Sequence, residues 1–152
     1  MQNIKIYFDP GKDFEMRHIK PLLGITGLYF IFLTKTRIQY PFKKSRLLYI
    51  GMSEKRTNSI GTRLLGHYDG KSGNVGLMNY RKREPLFFTY INFEVLKNVW
   101  QHRIEDLESY FILNFVHTYG VYPICNNRTG LEILKSDITV KLDIDWPFFN
   151  KA

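Results

Sequence analysis

Two stretches decide how this chain folds: "GLYFIFLTK" at residues 27–35 and "RLLYIGM" at residues 46–52. Each is rich in β-branched and aromatic residues and reads as a strand. The segment that joins them, "TRIQYPFKKS" at residues 36–45, has the proline and basic side chains of an exposed hairpin loop. Each strand carries a tyrosine two positions from a glycine, Gly27 with Tyr29 and Tyr49 with Gly51. Alternation along a strand puts Gly27, Tyr29 and Ile31 on one face and Leu28, Phe30 and Phe32 on the other, and by the same rule Leu47, Tyr49 and Gly51 share a face. If the strands are neighbours, both tyrosines stand on one side of the sheet, each beside a glycine that leaves room above the backbone. Ordinary strand packing, in which tyrosine is a common choice, also accounts for the pair.

Outward from this hairpin the pattern is mixed. "NIKIYF" (3–8) reads as a short strand ended by the turn chemistry of "DPGKD". "NSIGTRLLGHY" (58–68) is helical with Ser59 as N-cap, and "YDGKSGNVG" (68–76) reads as a flexible loop. "PLFFTYINFEVL" (85–96) supplies a third strand, and Val99–Tyr119 forms the longest helix, stopped by Gly120 and Pro123. The tail "LEILKSDITVKLDIDWPFF" (131–149) alternates as a further strand or hairpin. The expectation is an α/β chain of α+β type.

A length of 152 residues, 44% of them apolar, suits a single domain, residues 1–152, with its own core. No run of eighteen apolar residues exists and "MQNIKIYFDPGKDF" lacks a signal-peptide pattern, so the expected location is cytoplasmic, away from any membrane. Cys125, the only cysteine, reads as a small core residue, and "NRT" at Asn127–Thr129 is discounted as a glycosylation site. The formal charge is +8 and unevenly spread. Arg17 to Arg46 contains seven Lys or Arg and no acid, and Arg81, Lys82 and Arg83 add three more. Such a patch fits phosphate-backbone binding through Lys35, Arg37, Lys43, Lys44, Arg81, Lys82 and Arg83; a merely solvated surface is the other reading.

Some residues fit a core badly. Arg63 and His67, four apart, share one face of the helix after the second strand, as the pair would on any solvated basic helix. On the long helix Ile104, Leu107, Phe111 and Phe115 mark an apolar stripe, and Glu108 falls on it. A carboxylate there needs a partner such as Arg63 or a cation, and Mg²⁺, which takes few protein ligands and keeps several waters, fits a single carboxylate. Asn126 or Asn127 in "YPICNNR" can orient a water or a phosphate oxygen, or simply form the turn. A hydroxyl or imidazole, a metal site and a guanidinium are what hydrolysis of a phosphodiester requires.

In this order the residues resemble the GIY-YIG endonucleases. "GLY" at Gly27–Tyr29 stands for the first signature and "YIG" at Tyr49–Gly51 for the second, followed by Arg63 on a helix, "LESYFI" around Glu108 and "PICN" at Pro123–Asn126. The likeness spans roughly residues 26–128. It implies a central three-stranded antiparallel sheet flanked by helices, here with terminal strand additions, and cleavage of DNA, double-stranded by expectation, with one divalent metal, Mg²⁺ or Mn²⁺, on Glu108. It also implies Tyr29 as general base, Tyr49 as a group that orders water or shares the proton, and Arg63 as the stabiliser of the pentavalent phosphate. His67 resembles the assisting residue of the restriction-enzyme branch, and Asn126 would fix the site by hydrogen bonds. Met52 departs from the pattern, since many members carry lysine after YIG; Lys55 is a candidate substitute. The eighteen residues from Glu108 to Asn126 also exceed the spacing of the minimal domain.

Little sequence remains outside the core for a separate DNA-binding region. Target choice then falls to the insertions "TKTRIQYPFKKSR" and "YDGKSGNVGLMNYRKRE", to the terminal segments, to a homodimer or to a partner protein. The rival readings are a nucleic-acid-binding module without turnover and a basic structural or ribosome-associated protein. The first leaves the catalytic residue types unused; the second leaves Glu108 unexplained.

Overall fold

The computed structural model describes residues 2–126 and 140–151. The "NRT" triplet and the first part of the alternating tail lie outside the described residues. The chain is of mixed α+β type. In order it forms β1 (Gln2–Ile6), β2 (Lys12–Asp13), α1 (Met16–Ile19) with a 3₁₀ turn at Lys20–Leu22, β3 (Gly27–Leu33), β4 (Ile38–Gln39), β5 (Lys44–Ser45) and β6 (Leu47–Ser53). Then follow α2 (Ile60–Tyr68), α3 (Val75–Arg83), β7 (Leu86–Asn92), α4 (Phe93–Leu96), α5 (Ile104–Tyr119), β8 (Val140–Ile144) and a 3₁₀ turn at Trp146–Asn150.

The main sheet has the order β2-β7-β3-β6 and is antiparallel throughout. Three strands were expected; the fourth, β2, is two residues of the "DPGKD" turn that pair with Phe87 and Phe88 on the outer edge of β7. All seven residues of the central strand β3 are buried, because both faces of the sheet are covered. Leu28, Phe30 and Phe32 pack against Leu107, Phe111 and Phe115 of α5 and the aromatic residues of the C-terminal 3₁₀ turn. Tyr29, Ile31 and Leu33 face Ile19, Leu22, Ile60, Leu64 and Leu77 from α1, α2, α3 and the turn after α1. The terminal strands make their own two-stranded parallel sheet, β1 with β8, from Gln2 opposite Val140 to Ile6 opposite Ile144.

The strict alternation expected of β6 is broken. Ile31 opposes Tyr49 but Phe32 opposes Leu47, so Leu48 is an extra residue, a β-bulge. Leu47 therefore joins the α5 side of the sheet with Ile50, while Tyr49 packs on the other side with Tyr29.

Element ends follow local chemistry. Ser59 caps α2 as expected, its side chain accepting from Thr62 N at 3.3 Å. The third strand stops at Asn92, whose carboxamide accepts from Glu94 N at 3.0 Å and turns the last residues of "PLFFTYINFEVL" into α4. The long helix begins five residues later than expected, at Ile104, since Trp100 is folded into the core with its indole N–H donating to Arg103 O at 3.0 Å. It ends at Gly120, whose φ of 95° closes the helix in the left-handed region. Part of the presumed flexible loop is instead the start of α3, capped by Asn74, which accepts from Leu77 N at 3.1 Å.

Candidate active site

Tyr29 and Gly51 face each other across the β3–β6 ladder. A Cβ at Gly51 would overlap the Tyr29 ring and hydroxyl, so the glycine is the berth in which the tyrosine lies. Gly27 serves another purpose: at φ 150° it brings β3 against the Ile91 carbonyl of β7, where a Cβ would collide with backbone.

Helix α2 delivers the next two groups. Gly61 lets it approach the backbone of Leu22 and Leu23, and Ile60 N donates to Ile25 O at 2.8 Å. Arg63 and His67, one turn apart, then meet the same atom: Arg63 Nε donates to the Tyr29 hydroxyl at 3.4 Å, and His67 Nε2 lies 3.0 Å from it. The Tyr49 ring sits 6.0 Å from that of Tyr29 and 5.0 Å from the imidazole. Tyr29 is sealed from solvent, His67 nearly so, and Tyr49 and Arg63 are half-buried and form the accessible side of the cluster.

The environment sets the protonation. Burial drives the Tyr29 hydroxyl far above the ordinary phenol range, and the neighbouring Tyr49 adds to it. Burial, then the charge of Arg63, lowers His67 to about 4, so the imidazole is neutral at neutral pH. Burial works against the charge of Arg63, but the two tyrosines and Glu108 outweigh it and hold the guanidinium protonated. Tyr49 is pushed up by burial, pulled back by Arg63 and raised again by Glu108.

Glu108 sits half-buried at the margin of the α5 stripe rather than within it, next to the buried Leu107 and within electrostatic reach of Arg63 and Tyr49. Among the described residues no three His, Cys, Asp or Glu gather as a metal cage. A half-buried single carboxylate beside a solvent-facing edge is the donor set a largely hydrated Mg²⁺ accepts.

Asn126 works at the β6 edge of the sheet, beside Tyr49. Strand β6 is the last of the sheet, and Ile50 turns its peptide groups outward; the Asn126 carboxamide accepts Ile50 N at 3.1 Å and donates to Ile50 O at 2.9 Å. Cys125 N donates to Leu48 O at 2.9 Å and Tyr40 donates to Leu47 O at 2.7 Å. These contacts close the open edge next to Tyr49 and Gly51. Cys125 itself is buried, as expected.

Ser72 had no sequence signal. Its Oγ lies 2.8 Å from His67 Nδ1, and its backbone N–H donates to Gly66 O at 3.0 Å. Met52 after the "YIG" triplet is half-buried against the core, while the exposed Lys55 lines a cavity of about 160 Å³ with Met52, Ser53, Glu54, Asn58 and Arg63.

The basic residues divide. Lys35, Arg37, Lys43, Lys44, Lys82 and Arg83 are exposed, on segments that flank Leu33, Leu47 and Leu86, the same end of the antiparallel sheet. Glu84 binds the two groups of segments together, accepting from Lys35 N at 2.7 Å and Thr36 N at 3.2 Å. Four residues of strand, roughly 13 Å at about 3.3 Å per residue, separate that end from the Tyr29 level. Arg81 is unlike the others: half-buried, it donates to Tyr68 O at 2.5 Å, and its guanidinium lies 4.0 Å from the centre of the Tyr68 ring. Arg46 is also structural, buried and donating to Phe149 O at 2.8 Å and Thr34 O at 3.0 Å.

No protein-family model, no curated protein and no solved structure matches the chain.

Proposed function

We propose that the chain is a divalent-metal-dependent endonuclease of GIY-YIG type that hydrolyses phosphodiester bonds in double-stranded DNA. One observation carries the reading: a neutral imidazole and a guanidinium converge on one tyrosine hydroxyl from a different element, His67 at 3.0 Å and Arg63 at 3.4 Å, with a second tyrosine and Glu108 alongside. The antiparallel β7-β3-β6 core with helices on both faces supports it.

In this mechanism water reaches the cluster from the Tyr49 side, since Tyr29 is sealed beneath it. Attack forms a P–O bond and breaks the bond to the leaving oxygen, which departs as an alkoxide and takes a proton from bulk water. The proton from water passes to the tyrosine pair, and the Tyr29 proton passes to His67 Nε2, which is free to take it because the imidazole starts neutral. A tyrosine held far above its ordinary value beside an imidazole held low does not ionise on its own, so the transfer is coupled to attack, with the water proton arriving as the Tyr29 proton leaves for the imidazole. Arg63 then faces the charge that grows on the phosphoryl oxygens. Glu108 would hold Mg²⁺ or Mn²⁺, which when bound neutralises phosphate charge.

The exposed basic residues at the far end of the sheet position the DNA backbone, and the β4–β5 hairpin, α3, a second copy or a partner protein would select the target. The test is incubation with plasmid DNA with and without Mg²⁺. Nicked or linear product only with the metal, lost in Tyr29→Phe and Arg63→Ala, supports the reading; binding without cleavage in the native chain favours a module without turnover.

A further inference from the structure

The hydrogen count at Tyr29 fixes more than its neighbours. The hydroxyl has one hydrogen and two lone pairs, and Arg63 Nε, which can only donate, occupies one lone pair at 3.4 Å. Were His67 Nε2 also to donate, the second lone pair would be used and the Tyr29 hydrogen would turn instead to the Tyr49 hydroxyl, away from the buried imidazole. With Tyr29 donating to Nε2, the hydrogen stays within the sealed 3.0 Å contact between the two side chains. The neutral imidazole must then carry its proton on Nδ1, 2.8 Å from Ser72 Oγ.

We propose that Ser72 is a positioning residue that holds His67 as the Nδ1–H tautomer and so keeps Nε2 as the acceptor for Tyr29. The serine is itself anchored for this task. Its backbone N–H donates to Gly66 O at 3.0 Å, tying the loop to the last turn of α2. Its Oγ accepts Asn74 N at 3.3 Å, which leaves one lone pair for the imidazole. Asn74 caps α3 and donates through Nδ2 to Cys125 O at 3.0 Å, next to the Asn126 carboxamide on Ile50. The loop between α2 and α3 thus joins the imidazole to the segment that closes the β6 edge. When Tyr29 gives up its proton, the imidazolium finds both N–H groups already matched, one to the tyrosine oxygen and one to Ser72.

The structural part of this inference is independent of the nuclease reading; only its kinetic part rests on it. The experiment is ¹⁵N NMR of the whole chain at neutral pH, with His67 assigned by its absence in His67→Gln. The expected spectrum shows a protonated Nδ1 and a pyridine-like Nε2, shifting to mixed or Nε2–H form in Ser72→Ala and returning in Ser72→Thr. In parallel, Ser72→Ala lowers kcat for plasmid cleavage on the order of 10–100-fold, by comparison with other groups that orient a histidine, with KM little changed and Ser72→Thr restoring it. An Nε2–H tautomer in the native chain, or a tautomer indifferent to Ser72→Ala, overturns the assignment. If the tautomer behaves as expected but the native chain does not cleave, Ser72 keeps its role and the nuclease reading fails.

Discussion

Gly51 lies directly across the β3–β6 ladder from Tyr29 and owes its identity to the tyrosine ring that fills the space a side chain would take. A methyl group at this position strikes the ring of a fully buried residue on a sheet covered on both faces, so neither side can yield cheaply. Gly51→Ala should cost ~1–3 kcal/mol in denaturant unfolding, the usual range for overpacking a core. In a Tyr29→Leu background the same change should cost clearly less, because the two positions share one volume. Equal costs in both backgrounds would show that the glycine answers some other need.

His67 gives stability a pH dependence of known sign. Its folded value, about 4, lies below the 6.5 of an unperturbed histidine. Between those values the unfolded chain binds a proton that the folded chain refuses, so stability falls as pH drops from near 6.5 towards 4. At ~1.4 kcal/mol per pKa unit the loss reaches about 3 kcal/mol, and it is absent in His67→Gln. Urea unfolding of both proteins across this range, read as their difference, removes the contribution of the carboxylates. Parallel curves would contradict a neutral, buried imidazole.

Asn126 stands in for a neighbouring strand at Ile50. Asn126→Ala leaves that N–H and carbonyl without protein partners in a half-buried place, which should cost about 1–3 kcal/mol. Amide exchange at Ile50 should quicken along with it, and cleavage should fall because Tyr49 and Gly51 flank the freed residue. Unchanged exchange at Ile50 would deny the edge role.

The basic residues should separate by experiment as they do in space. Neutralising Lys35, Arg37, Lys43, Lys44, Lys82 or Arg83 should weaken DNA binding by similar factors on different sequences and lower the salt slope by about 1 each. Arg81→Ala should instead lower the melting temperature, since its guanidinium is held by the Tyr68 carbonyl and ring. A salt slope indifferent to the first group, or an Arg81 variant of native stability, would reverse the division.

Much of this was legible in the residues, for physical reasons. A strand buried on both faces has a continuous apolar run, so "GLYFIFL" declared itself, and Ser59 marked the start of α2. The i, i+4 spacing of Arg63 and His67 put both on one helix face, which is the face that meets Tyr29. Helix α3 was hidden because Leu77 is its only buried residue, which leaves no stripe to read; its Asn74 cap and the Asn74 bond to Cys125 hold it in place. The bulge at Leu48 and the parallel pairing of β1 with β8 depend on distant partners and leave no local mark. Ser72 acts through a loop, five residues from its histidine, where no periodicity applies.

Glu108 tests the central claim most directly. The measurement is Mg²⁺-dependent plasmid cleavage by Glu108→Ala, with thermal unfolding and DNA binding on the same sample. As a metal ligand, its loss abolishes cleavage while melting and affinity stay near native, since deleting the carboxylate also removes repulsion towards phosphate. Cleavage at the native rate would contradict the metal assignment, and a loss of activity that only follows a collapse in melting temperature would make Glu108 a structural partner of Arg63 instead.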